Sequence, residues 1–162
     1  MIKEITGDLL TCDANILCHQ VNCHGVMGAG IALSIREKLL TEEQYIEYIQ
    51  FCVKNRIDAL GKVLTFKVKG QDQKYVANCF SQNDWSQTGC LTDYDAMRKC
   101  FESVERDAAQ HGLSVALPGY IGCGIAGGDW NTVHAVILDV FGPSTVQTTV
   151  VYWENDNEKS VL

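Results

Sequence analysis

The sequence predicts an α/β sandwich of three layers, with helices on both faces of a mixed, mostly parallel central sheet. Three observations carry that prediction. Strand-like and helix-like runs alternate along the chain. Leu113 to Leu117 (LSVAL) is a continuous apolar run of the kind buried on both faces of a parallel sheet. Two glycine-rich loops a hundred residues apart each stand between a strand-like run and a helix-like one.

Ile2 to Thr6 alternates apolar and polar residues as a half-buried strand, and Gly7-Asp8 turns it. Asn15 to Val21 (NILCHQV) is a buried strand entering the first loop, Gly25-Val26-Met27-Gly28-Ala29-Gly30. From Gly28 to Leu40, the positions Ile31, Leu33, Ile35, Leu39 and Leu40 suit a helix that starts at that loop. Thr41-Glu42-Glu43-Gln44 supplies an N-cap and an acidic first turn for a second helix through Tyr45, Tyr48, Ile49 and Cys52. Val63 to Val68 and Lys74 to Phe80 are strands, joined as a hairpin by Gly70-Gln71-Asp72-Gln73.

Asn83 to Leu91 is a polar loop with Trp85 and Gly89, after which Thr92 caps a helix through Ala109. Met97, Cys100, Phe101 and Val104 recur there at helical spacing, and Gly112 ends the helix. The LSVAL strand leads through Pro118 into the second loop, Gly119 to Gly128 (GYIGCGIAGG). A helix from Asp129 to Phe141 follows, with Trp130, Val133, Val136, Ile137 and Val140 inward, and Val146 to Trp153 is the last strand. Residues 1–154 thus form one domain, and 155–162 a polar C-terminal tail.

Composition narrows the class. A chain of 162 residues holds one good core and is too short for two ordinary domains. With 46% apolar and 20% charged residues it groups with globular proteins. No apolar run approaches the roughly 20 residues that cross a bilayer. The start, Met1-Ile2-Lys3-Glu4-Ile5, opens on a strand rather than a signal sequence, so a cytoplasmic protein without a membrane partner is expected. A net charge of −7 argues against an extended nucleic-acid surface, because that affinity rests on many Lys and Arg contacts to phosphates. Backbone amides can still hold a small anion, so a nucleotide-sized partner is expected.

The eight cysteines scatter through apolar segments without CxxC pairs, which reads as small buried hydrophobes. Cys18-His19 with Cys23-His24 is the alternative, as metal ligands, although the spacing lacks a zinc pattern. Nothing else calls for a metal or cofactor, so activity should survive a chelator. Cys123 in the second loop is a nucleophile candidate with no histidine near in sequence; a thiol packed beneath the loop is the other reading.

The glycine loops carry the function. Glycine permits positive φ and close approach to the main chain, and the first amides of a following helix present free N–H groups to an anion. In open sheets of this class ligands lie beyond the carboxyl ends of the strands. Two such loops, with Gly7-Asp8, should converge there as one phosphate cradle. A Rossmann-type dinucleotide site is the remote alternative, and Gly28-Ala29-Gly30-Ile31-Ala32-Leu33 lacks its third glycine.

Three motifs in order, Thr6-Gly7-Asp8-Leu9-Leu10, Val21 to Ala32 (VNCHGVMGAGIA) and Leu117 to Trp130 (LPGYIGCGIAGGDW), resemble the macrodomain family. The likeness spans residues 1 to about 154, and is strongest to the branch containing ADP-ribose 1″-phosphate phosphatases and terminal ADP-ribose glycohydrolases. It implies ADP-ribose, or an ADP-ribosylated macromolecule, as partner. Asp8 would accept from the adenine amine, with Leu9 beside it. Val26, Met27, Gly28, Gly30, Ile121, Gly122, Cys123, Gly124, Ile125 and Ala126 would hold the diphosphate and distal ribose. Tyr152 or Trp153 would flank the adenine, or pack in the core.

For catalysis, the resemblance offers Asp129 as general base or nucleophile, Asn22 to orient the distal ribose and His24 as a secondary acid or base. Asp129 equally suits a helix N-cap. Some relatives form a covalent intermediate through a lysine; here Ala29 stands at the loop position, Asn78-Cys79-Phe80-Ser81-Gln82 has none, and Ala126 replaces an acid. A water-mediated hydrolysis of an ADP-ribose derivative is therefore expected, with a non-catalytic ADP-ribose reader as the alternative.

Overall fold

Six strands order themselves β1-β6-β5-β2-β4-β3, where β1 is Ile2–Thr6, β2 Ile16–Asn22, β3 Val63–Lys67, β4 Tyr75–Gln82, β5 Val115–Pro118 and β6 Thr148–Tyr152. All neighbours run parallel except β3, which pairs antiparallel with β4 at the edge. The computed structural model describes residues 1–86 and 88–154; the expected tail at 155–162 lies outside them. Among the described residues, no helix is long and apolar enough to cross a membrane.

Four helices cover the sheet: α1 (Gly30–Lys38), α2 (Glu42–Asn55), α3 (Tyr94–His111) and α4 (Trp130–Phe141). Strand alternation sends Ile16 and Cys18 of β2 to one face, against Met97, Phe101, Val133 and Ile137 of α3 and α4. Leu17 and Val21 face the other side, where Ile35 of α1 and Tyr48 and Cys52 of α2 cover them. Both faces are therefore buried, as a parallel sheet requires.

The punctuation explains where the helices sit. Thr41 and Gln44 form a reciprocal capping box at the start of α2, with Thr41 Oγ1 accepting from Gln44 N at 3.1 Å and Gln44 Oε1 accepting from Thr41 N at 2.9 Å. Gly112 closes α3 in the left-handed region, at φ 65°. One expectation needs correction: Asp93, not Thr92, caps α3, its Oδ1 accepting from Ala96 N at 2.9 Å. Thr92 is buried and its hydroxyl donates instead to the carbonyl of Gly122 at 2.6 Å.

Neighbouring strands β2 and β5 lead in opposite directions, β2 toward β4 and β5 toward β6. Their exits diverge and open a crevice at the carboxyl edge of the sheet. The two glycine loops follow these two strands.

Candidate functional site

A cleft of about 810 Å³ occupies that crevice. Its wall is drawn from every parallel strand end: Gly7 to Leu10 after β1, Gln20 to Asn22 of β2, Gln82 of β4 with Trp85 beyond it, the second loop after β5, and Val151 and Trp153 at β6. The first loop and α1 complete it with Val26, Gly28 to Ala32, Ser34 and Lys38 at the far end of the helix.

Asn22 builds the first loop. Its Oδ1 accepts from the amides of His24 at 3.0 Å and Val26 at 3.3 Å, while its Nδ2 donates to the carbonyl of Val26 at 2.7 Å. Two tyrosines of α2 anchor the same segment. Tyr48, fully buried, donates to the Asn22 carbonyl at 2.7 Å, and Tyr45 donates to the Gly25 carbonyl at 2.9 Å. The amides of Met27, Gly28 and Ala29 carry no partner among the described residues. Ala29 offers α1 no side-chain cap, so the first-turn amides of Gly30, Ile31 and Ala32 are also unspent. This is an anion cradle made of backbone.

The second loop winds on itself. The amides of Ile121, Cys123, Gly127 and Gly128 donate to Pro118, Tyr120, Gly124 and Gly122 within the loop, at 2.8 to 3.2 Å. Those of Gly122, Gly124, Ile125 and Ala126 remain unbonded among the described residues. Crowding makes glycine necessary at Gly122, where φ is 74° and a Cβ would stand 3.0 Å from Gln20 Oε1, Met97 Cε and Thr92 Oγ1. At Gly119 a Cβ would fall 2.3 Å from the Tyr152 ring.

A polar network joins the loops beneath the cleft. Gln20 Nε2 donates to Gln82 Oε1 at 3.2 Å and Thr92 Oγ1 at 3.1 Å, and its Oε1 accepts from the Ser81 hydroxyl at 2.7 Å. With the bond from Thr92 to Gly122, this ties β2, β4 and the second loop into one unit. Sequence reasoning missed it, and missed the two tyrosine anchors; a glutamine inside the apolar run NILCHQV was the available signal.

Asp8, Leu9, Asn22, Val26, Gly28, Gly30, Ile121, Gly122, Gly124, Ile125, Ala126 and Trp153 all line the cleft. Asp8 Oδ1 accepts from Leu10 N at 2.9 Å, while its second oxygen has no partner among the described residues. The remaining expected residues do not line it. Met27 is buried beneath the first loop among Val21, Tyr48 and Phe80, so only its amide is usable. The Cys123 thiol donates to the Ile121 carbonyl at 3.4 Å and packs on the core, and burial pushes it up to about 11, which opposes a nucleophilic thiolate.

Tyr152 turns toward Gly119, Tyr120 and Trp130, and its hydroxyl donates to Glu4 at 2.8 Å, a packing role rather than an adenine contact. Asp129 caps α4: its Oδ2 accepts from Thr132 N at 2.9 Å and Thr132 Oγ1 at 2.8 Å, outside the cleft wall. His24 is exposed and also off the wall.

Cys18 faces α3 and α4 while His19, one residue on, bonds Asn78, so the two never share a ligand sphere. Among the described residues, no group of three or more His, Cys, Asp or Glu could hold a metal ion.

Comparison with known proteins agrees with this architecture. Residues 18–137 match the family model of the Macro domain. The DNA ADP-ribosyl glycohydrolase of Mycobacterium tuberculosis is 28% identical over 99% of this chain, which spans 44% of that protein's length. The ADP-ribose 1″-phosphate phosphatase of Candida albicans is 28% identical, over 86% of this chain and 93% of its own. The solved macrodomain of Mycobacterium tuberculosis DarG superposes with a TM-score of 0.79 at 28% identity, covering 94% of this chain and 97% of that one.

Proposed function

Because the chain belongs to the macro domain family, we propose that its cleft binds ADP-ribose and that the protein hydrolyses an ADP-ribose derivative. The bond cut is the phosphate ester of ADP-ribose 1″-phosphate or a mono-ADP-ribosyl linkage. The similarity to proteins named as a glycohydrolase and a phosphatase supports the hydrolase reading. One observation carries the ligand: unspent amides from two glycine loops and the α1 N-terminus face a single cleft at the switch point of the sheet.

In this reading the adenine amine meets the second oxygen of Asp8, and Trp153 flanks the base. The diphosphate lies on the amides of Met27 to Ala32 and of the second loop. The distal ribose stands beside Asn22, whose Nδ2 has one hydrogen left after bonding Val26. Asn22 and Gln82 then orient the ribose hydroxyls and a water molecule against C1″ or its phosphate.

A second reading, an ADP-ribose reader without turnover, is favoured by the composition of the wall. Asp8 is its only carboxylate and no histidine lines it, among the described residues.

A thermal-shift series with ADP-ribose, ADP, AMP and NAD tests the ligand. At a hundredfold excess over Kd, ADP-ribose should add about 2.7 kcal/mol and raise Tm by about 5 to 11 °C. No shift at saturation would sink the reading. Incubation with ADP-ribose 1″-phosphate and with ADP-ribosyl conjugates then separates enzyme from reader by product release.

A further inference from the structure

The outer face of α2 carries residues that a free helix surface does not favour. Ile46 and Val53 stand seven positions apart, two helical turns, on the side turned away from buried Tyr48 and Cys52, and are 46% and 68% exposed. β-branched side chains lose rotamer freedom in a helix, so they weaken it where they bury nothing. Exposed Gln50 lies between them, and Ile57, in the short turn Arg56–Ala59 that follows the helix, is 60% exposed. Among the described residues, none of α2 lines the cleft, so a ligand bound there does not account for the stripe.

The charges beside the stripe are sorted by position. Glu47 and Lys54 are also seven apart, on one flank of it, and both are exposed. Seven residues put them about 10 Å apart along the axis, too far to pair within one helix. None of Glu42, Glu43, Glu47, Lys54 and Arg56 joins an ion pair among the described residues. Glu43 and Glu47, one turn apart, instead repel each other. The helix dipole accounts for Glu42 and Glu43 at the N-terminus and Lys54 near the other end. Its pull fades within the first turn, and leaves Glu47 in the second turn without a reason.

We propose that α2 is a homodimer contact, packed antiparallel on α2 of a second copy of this chain about a two-fold axis at Gln50. Such an interface is isologous, so each residue meets the one equally far beyond the axis. The midpoint of Ile46 and Val53 falls between residues 49 and 50, and that of Glu47 and Lys54 between 50 and 51. One axis therefore sets Ile46 of each copy against Val53 of the other, and Glu47 of each against Lys54 of the other. Glu42 and Glu43 come opposite Arg56 in the same arrangement. A parallel pairing would set like charges together, and a partner of one sign would match only half of the helix. One helix pair, 14 residues and about 21 Å long, is a small interface, so the dimer is weak and concentration-dependent. It lies across α2 from Tyr48, which holds the first loop, and no residue of the cleft wall takes part.

Sedimentation of the whole chain, over about a hundredfold range of concentration up to about 1 mM, reads the dimer. It is run at physiological ionic strength, where the general repulsion between two copies of charge −7 is screened. Molecular mass should climb from monomer toward dimer across the series. Glu47→Lys and Lys54→Glu should each weaken dimerisation by about tenfold or more, since symmetry turns two exposed attractions into two repulsions. An equimolar mixture of the two variants should recover association as a heterodimer, and the variant carrying both reversals should recover it as a homodimer.

Val53→Ser should weaken the dimer as well, by removing the apolar contact twice. Thermal melts of the dilute variants should coincide with the wild type, because the substituted side chains are exposed, and this separates lost association from lost folding. A chain that stays monomeric up to about 1 mM overturns the proposal. So does a dimer indifferent to both charge reversals, or a mixture of the two variants no more associated than either alone. None of these outcomes bears on what the cleft binds.

Discussion

His19 should make this fold sensitive to mild acid. It lies in the middle of β2, fully buried, with Nε2 2.6 Å from Asn78 Oδ1. Asn78 Nδ2 already donates to the Leu64 carbonyl at 2.7 Å, so its oxygen is the acceptor and the imidazole carries its proton on Nε2. Nδ1 has no partner among the described residues. Burial pushes the group down to about 4 from 6.5, partly offset by the bond to Asn78.

The unfolded chain takes up a proton near pH 6.5 while the folded chain resists until about 4. Stability is therefore whole above pH 6.5 and falls by about 1.4 kcal/mol per pH unit across that window, or about 3 kcal/mol in all. Below pH 4 both states are protonated and the term is constant. Urea melts of the wild type and His19→Gln, followed by tryptophan fluorescence between pH 3.5 and 7.5, isolate it. Glu4, held below the usual carboxylate range chiefly by the Tyr152 hydroxyl, titrates in both proteins and cancels in the difference. Parallel stability curves for the two proteins would refute the assignment.

Two further substitutions probe the site. Tyr48→Phe removes the hydroxyl that donates to the Asn22 carbonyl at 2.7 Å, a carbonyl that also accepts from the Cys52 thiol at 3.7 Å. It should cost about 1 to 3 kcal/mol in urea melts and weaken ADP-ribose binding by titration, because Asn22 shapes the first loop; wild-type affinity would deny that coupling. Asp129→Ala should cost about 1 kcal/mol as a lost helix cap and leave turnover intact. Lost turnover at undiminished ADP-ribose affinity would restore this carboxylate as the catalytic base.

The fold was legible because its signals are local. Alternating strands and helices, the capping pair Thr41 and Gln44, and Gly112 at the end of α3 each declare themselves within a few residues. The glycine loops declared themselves in the same way, by runs of glycine between a strand and a helix, whereas what a Cβ would strike at Gly119 and Gly122 is set by the distant Tyr152, Gln20 and Thr92. The network of Gln20, Ser81, Gln82 and Thr92 did not, because it joins positions up to 72 residues apart that meet only when β2 pairs with β4. Which loop amides remain free was also hidden: those of Ile121 and Cys123 are consumed by turns inside the loop, a choice made by backbone geometry rather than side chain. Thr92 and Asp93 are adjacent and both cap well, so only the packing of Thr92 under Gly122 decides between them.

An acidic chain that holds a dianion does so by dipoles. Among the described residues the cleft wall carries one lysine, Lys38, and one carboxylate, Asp8, so its attraction for a diphosphate comes from oriented N–H groups at short range. Such a site releases few condensed counterions, and its grip on ADP-ribose should change little with salt. Titration with ADP-ribose at low and at high ionic strength should therefore return nearly the same Kd, and a steep fall of affinity with salt would refute binding by dipoles.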